Sequence, residues 1–194
     1  MHRLPHRREA AAFGWPLRLA LLAAAVLGAS CGRLPEAQPP PTAISASDLE
    51  MERTSIERML DDWHAAAAAG DEARYFGHLD ESSVFLGTDA TERWNKTDFK
   101  AFAHPFFARG HAWSFRTHHR HVMFGPVFGQ VAADRLSIAW FDEQLDTPNM
   151  GPARGSGVVV KRDGGAWLIA HYNLTLTVPN EHLKEVKQLL EEAK

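Results

Sequence analysis

The chain has 194 residues, 45% of them hydrophobic and 23% charged, enough for one globular domain with a sizeable core but not for two. Six tryptophans and eleven phenylalanines are a heavy aromatic load, suited to a core and equally to the walls of a cavity. Four of the 21 basic and one of the 24 acidic residues lie in 1–30. The remainder holds 17 Lys and Arg against 23 Asp and Glu, a formal charge of −6 that argues against a nucleic-acid binder.

Residues 1–30 read as a signal peptide. His2, Arg3, His6, Arg7, Arg8 and Arg18 form a basic leader, and LALLAAAVLG from Leu19 to Gly28 is an apolar run too short to span a bilayer. The run ends in Gly28-Ala29-Ser30 and then Cys31, the sole cysteine, which has no partner for an internal disulfide. This resembles a bacterial lipoprotein signal, which implies lipidation at Cys31 and an envelope location, either lipid-anchored or secreted to the periplasm. Residues 31–47, with Pro39-Pro40-Pro41, read as a Pro-rich tether, and 48–194 as the folded domain.

Ser47-Asp48-Leu49-Glu50 has the form of a capping box. Ile56, Met59, Leu60, Trp63 and Ala67 then keep one helical face up to Gly70. A short helix is predicted from Asp71 to Leu79, followed by the strand SVFLG. A third helix, capped by Asn95 or Thr97, ends at Gly110, with Pro105 able to shorten or kink it. Four alternating stretches follow: WSFRTHHRHVMF, FGQVAADRLSIAWFDEQL, GSGVVVKRD and GAWLIAHYNLTLTV, with a turn at Asp163-Gly164-Gly165. A short amphipathic helix through Leu183, Val186 and Leu190 closes the chain. Helices first, then a run of antiparallel strands, predict an α+β fold with helices on one face of a curved sheet.

The stretch from Trp63 to Trp94, then LSIAWFDEQL, then RGSGVVVKRDGGAWLIAHYNLT with Gly-x-Trp-x-Ile at Gly165 to Ile169, resembles the SnoaL-like branch of the nuclear transport factor 2-like superfamily. The resemblance covers roughly residues 48–179. It implies a cone-shaped α+β (cystatin-like) fold with a pocket between the concave sheet face and the helices. The superfamily holds isomerases, dehydratases, cyclases and assembly domains, so the fold alone does not choose a function.

Asp89, just past the apolar end of the first strand, is a candidate pocket carboxylate for proton abstraction, or else a turn residue accepting backbone hydrogen bonds. Strict alternation puts Trp167, Ile169, His171, Asn173 and Thr175 on one face, with His171 as a candidate acid or base and Asn173 as its orienting partner. Trp140, Asp142 and Gln144 oppose Phe141 and Glu143, and parity leaves open which set faces the pocket. Trp63, Phe85, Trp94, Trp113 and Trp140 are candidate ligand-binding rings, joined by Arg154 and Asn173. Arg154-Gly155-Ser156-Gly157 lacks the features of a phosphate loop and reads as glycines easing strand curvature. His119 and His121 have ligand spacing, but Arg120 between them and the lack of a third ligand argue against a metal.

The resulting expectation is a cofactor-independent, homodimeric domain that binds a small, largely apolar molecule. The alternatives are an isomerase, cyclase or dehydratase using Asp89 and His171, and a dimeric assembly module without a ligand.

Overall fold

The computed structural model describes residues 45–125 and 136–192; the leader, Cys31 and the tether up to residue 44 lie outside the described residues. The elements are α1 (Ala46–Ala68), α2 (Glu72–Gly77), β1 (Leu79–Leu86), β2 (Arg93–Asn95), α3 (Lys96–Phe107), β3 (Arg116–Phe124), β4 (Leu136–Thr147), β5 (Gly151–Arg162) and β6 (Trp167–Leu176). A 3-10 turn (Asn180–His182) leads into α4 (Leu183–Glu192).

Helix α1 starts slightly before the predicted box. The Ser45 hydroxyl, not that of Ser47, accepts from the Asp48 amide at 3.1 Å and caps the first turn. The predicted apolar face is buried throughout, and His64 is buried with it. Asp71 and Asn95 cap α2 and α3 through their side-chain oxygens, and α3 runs through Pro105 to Phe107.

The six strands form one sheet in the order β2-β1-β6-β5-β4-β3. The α+β class expected from the sequence holds. The sheet, however, is mixed: β1 pairs with β6 in parallel, while every other neighbour is antiparallel. A parallel neighbour requires a long crossover, and the chain supplies it with β2, α3 and the three strands between. Strand β2 is an addition to the elements expected from sequence, because three residues carry no readable alternation.

A second departure changes which side chains look inward. Val158 pairs with His171 but Val159 pairs with Ile169, so Ala170 is an extra residue in β6. This β-bulge reverses the side-chain parity of the strand. Trp167 and Ile169 are buried before it, and Tyr172 and Leu174 after it. The single face predicted for Trp167, Ile169, His171, Asn173 and Thr175 is therefore broken in two, with His171 and Asn173 on the side opposite Tyr172.

Candidate functional site

Between α3, the β1–β2 hairpin, the loop before β3 and the β4–β5 turn lies a cavity of about 410 Å³. That volume is in the range of small-molecule sites. Phe85 and Trp94, opposite one another in the β1–β2 register, start its wall. Phe99 stacks on Phe85 with ring centroids 4.0 Å apart, and Phe102 stacks on Trp94 at 4.6 Å. Phe106, Trp113 and Phe115 continue the lining, and Leu174 closes it from β6. Offset and tilted rings in contact form a rigid apolar wall, because each ring fixes its neighbour.

The rim is polar. In the turn after β1, Asp89 is exposed and accepts from the Thr91 amide at 2.8 Å and the Thr91 hydroxyl at 2.6 Å. The Thr91 hydroxyl and amide hold its carboxyl below the ordinary range. The carboxylate that does line the cavity is Glu92, which folds back across Gly87 and accepts from the Asp89 amide at 3.2 Å.

His111 also lines the cavity, and it is exposed. Its position is set by backbone packing. Gly70 ends α1 at φ +66, and a side chain there would collide with the backbone of Gly110, so only glycine permits the approach. The contact is completed by the Ala112 amide donating to the Ala67 carbonyl at 3.1 Å. His111 Nδ1 donates to the Ala68 carbonyl at 2.8 Å.

Behind the cavity wall, and not lining it, is a buried ionic cluster centred on Glu143, whose side chain is 0% exposed. His64 Nε2 lies 2.8 Å from Oε1, and the Tyr172 hydroxyl donates to the same oxygen at 3.3 Å. Arg120 Nε donates to Oε2 at 2.9 Å, with Nη2 at 2.8 Å from the same atom. Arg120 also reaches out to Asp61 at 2.8 Å. Burial pushes the Glu143 carboxyl up, but the hydrogen bond and charge of His64 and then those of Arg120 outweigh it, holding it below the ordinary range. Burial and the neighbouring Glu143 charge push the Tyr172 phenol up. With both oxygens engaged, Glu143 is an anchor for β3, β4, β6 and α1, and Tyr172 passes its position to Phe85, whose ring stacks on it at 5.4 Å.

Of the residues proposed from sequence, Phe85, Trp94 and Trp113 line the cavity. Trp63 is one layer deeper, edge-on to Tyr172 at 4.7 Å. Trp140 is 41% exposed on the sheet face opposite Phe141, and Arg154 is exposed on β5. His171 and Asn173 were displaced from the inner face by the bulge at Ala170, and Asp89 faces its own turn. The structure does not bring Asp89 and His171 together at the cavity. Glu92 and His111 at the cavity, and His64, Arg120 and Glu143 behind it, are not among the site residues expected from sequence. The signal that was present is Glu143 itself, a carboxylate at the same parity as Phe141.

A family model for the SnoaL-like domain matches residues 56–179. No curated protein matches the sequence. Among solved structures, a protein of unknown function from Mycobacterium tuberculosis is similar at 15% identity and TM-score 0.53, with 73% of this chain and 82% of that one covered. A protein from Novosphingobium aromaticivorans, described as a candidate scytalone dehydratase, is similar at 14% identity and TM-score 0.51, with 69% and 89% covered. A Catenulispora acidiphila protein is similar at 12% identity and TM-score 0.50, with 66% and 93% covered. At these identities the likeness concerns the fold. A family model covering residues 56–179, most of the folded region, establishes that the chain belongs to the SnoaL-like family.

Proposed function

We propose that this SnoaL-like domain binds a small, largely apolar molecule in the cavity between α3 and the β1–β2 hairpin. The observation that carries the reading is the cavity itself: about 410 Å³, walled by Phe85, Trp94, Phe99, Phe102, Phe106 and Trp113, and open at a polar rim. Burying an apolar ring system there would gain the hydrophobic transfer energy of its surface at little cost in ordering the protein, because the wall is already packed. The leader ending at Cys31 supports an accompanying proposal that the domain works at the bacterial cell envelope, and lipid on Cys31 would be read by mass spectrometry of the membrane fraction.

The test is saturable enhancement of a neutral apolar dye such as Nile red on binding the folded chain, with native mass spectrometry for a co-purifying molecule. Ala112→Trp, which places an indole into the lined space, should abolish dye binding while leaving the unfolding midpoint near wild type. Dye binding unchanged by that substitution would remove the cavity from the proposal.

A further inference from the structure

We infer that the cavity selects an apolar molecule that ends in a hydrogen-bond donor, a hydroxyl or a protonated amine, over one that ends in an anion. The inference rests on the binding reading above and adds the chemical class of the ligand. Its basis is the set of ionisable groups that the fold brings to the rim. They are Glu92 and His111; no lysine or arginine is among the described residues that line the cavity.

Glu92 is half-buried, forms no ion pair among the described residues, and receives one backbone hydrogen bond, from Asp89. A carboxylate offers about four acceptor sites, so most of its capacity faces the cavity or solvent unfilled. His111 also presents an acceptor. A backbone carbonyl can only accept, so Nδ1 must carry the proton that goes to Ala68, and the neutral ring offers the lone pair of Nε2. Thr147 adds to this polarity, since its hydroxyl proton is spent on the Gly151 carbonyl at 2.7 Å and only its lone pairs remain. Thr88, Ser114 and Asn149 can both donate and accept, so they do not discriminate.

The apolar wall points the same way. Aromatic faces are negative, so a cation entering over Trp94 or Trp113 is attracted by the ring as well as by Glu92. A carboxylate or phosphate would lose its water against those faces beside a like charge, with no lysine or arginine among the described lining residues to pair with. Glu92 discriminates cation from anion, while His111 rewards a neutral hydroxyl.

Four probes sharing one two-ring body separate the terms: naphthalene, a naphthol, the naphthylmethylammonium and the naphthoate. They would be titrated into the full chain in one buffer at about pH 8. The ammonium and the naphthol should bind at least about fivefold tighter than naphthalene, and the naphthoate at least about fivefold weaker, the scale of one net hydrogen bond. Glu92→Gln should bring the ammonium to within about twofold of naphthalene. His111→Ala should remove the naphthol's advantage. Naphthoate binding as tightly as the ammonium overturns the inference and leaves the binding reading standing. Equal weakening of all four probes in both variants also overturns it, since these residues would then act only through the fold. Failure of every probe on the wild-type chain would remove the binding reading and the inference together.

Discussion

His64 and Glu143 are 79 positions apart in sequence and 2.8 Å apart in the fold, both shut away from solvent. The contact ties α1 to the inner face of β4, and Arg120 from β3 completes it on the other oxygen. Removing one member of a buried charge cluster leaves the others desolvated and unpaired. Glu143→Ala is therefore expected to cost about 3–5 kcal/mol, a large part of the stability of a domain this size. Urea unfolding followed by circular dichroism measures it. A loss below about 1 kcal/mol would show that the cluster contributes no more than an exposed pair.

The same cluster sets an acid limit. The Glu143 carboxyl is held below its unfolded value, so its contribution is complete above about pH 4.3, the unfolded glutamate value, and is lost as pH falls toward the folded value. Wild type should lose more stability than Glu143→Gln over the range from about pH 5 down to about pH 3. Denaturant midpoints of the two proteins across that range give the difference directly, and parallel curves would contradict it.

Gly155 on β5 lies where a side chain would strike the Tyr172 hydroxyl and come within 2.9 Å of Glu143 Oε1. Gly155→Ala should therefore destabilise by about 1–3 kcal/mol through overpacking. Tyr172→Phe in the same background should recover part of the loss by removing the hydroxyl. A double-mutant cycle of unfolding energies checks the coupling, and additive losses would contradict it.

Deletion of Ala170 would remove the bulge and restore strict alternation along β6. Either Tyr172 and Leu174 or Trp167 and Ile169 would then be turned out of the core. The expected outcome is loss of the cooperative unfolding transition and of near-ultraviolet aromatic dichroism. A folded deletion variant with native-like dichroism would refute this account of the strand.

Helix α4 makes the opposite case. It buries no residue, and Leu183, Leu189 and Leu190 are all more than half exposed. Truncation after His182 should change the unfolding free energy, measured by urea denaturation, by no more than a surface substitution does, about 0.5 kcal/mol.

Most elements were readable because their signals are local. The apolar spacing of Ile56, Leu60, Trp63 and Ala67 marks α1, and alternation marks β4 and β5. The bulge at Ala170 was not readable, because an extra residue in a strand is visible only against its partner, and β5 shows no irregularity of its own. Nor was the parallel β1–β6 pair, which depends on which strands meet rather than on what each contains. Aromatic composition pointed to ring-lined walls, and Phe85, Trp94 and Trp113 are found there. Trp140 is not, because β4 turns Phe141 and Glu143 inward instead. His111 carries no local signal, because its place depends on Gly70 and Gly110 meeting backbone to backbone, a contact between residues 40 positions apart.

The parallel pairing of β1 with β6 has a consequence in time. Strands β3 to β6 follow one another in sequence and can zip up as successive hairpins, whereas Phe85 must wait for Tyr172 to be made before β1 has its partner. Pairing across so long a stretch of chain carries a loop-closure cost that slows folding. Joining these strands is expected to be the last step, and on a growing chain the aromatic wall would stay exposed until nearly the whole domain had emerged. The surface proposed to receive a ligand is then also the surface most in need of protection while the protein is being made.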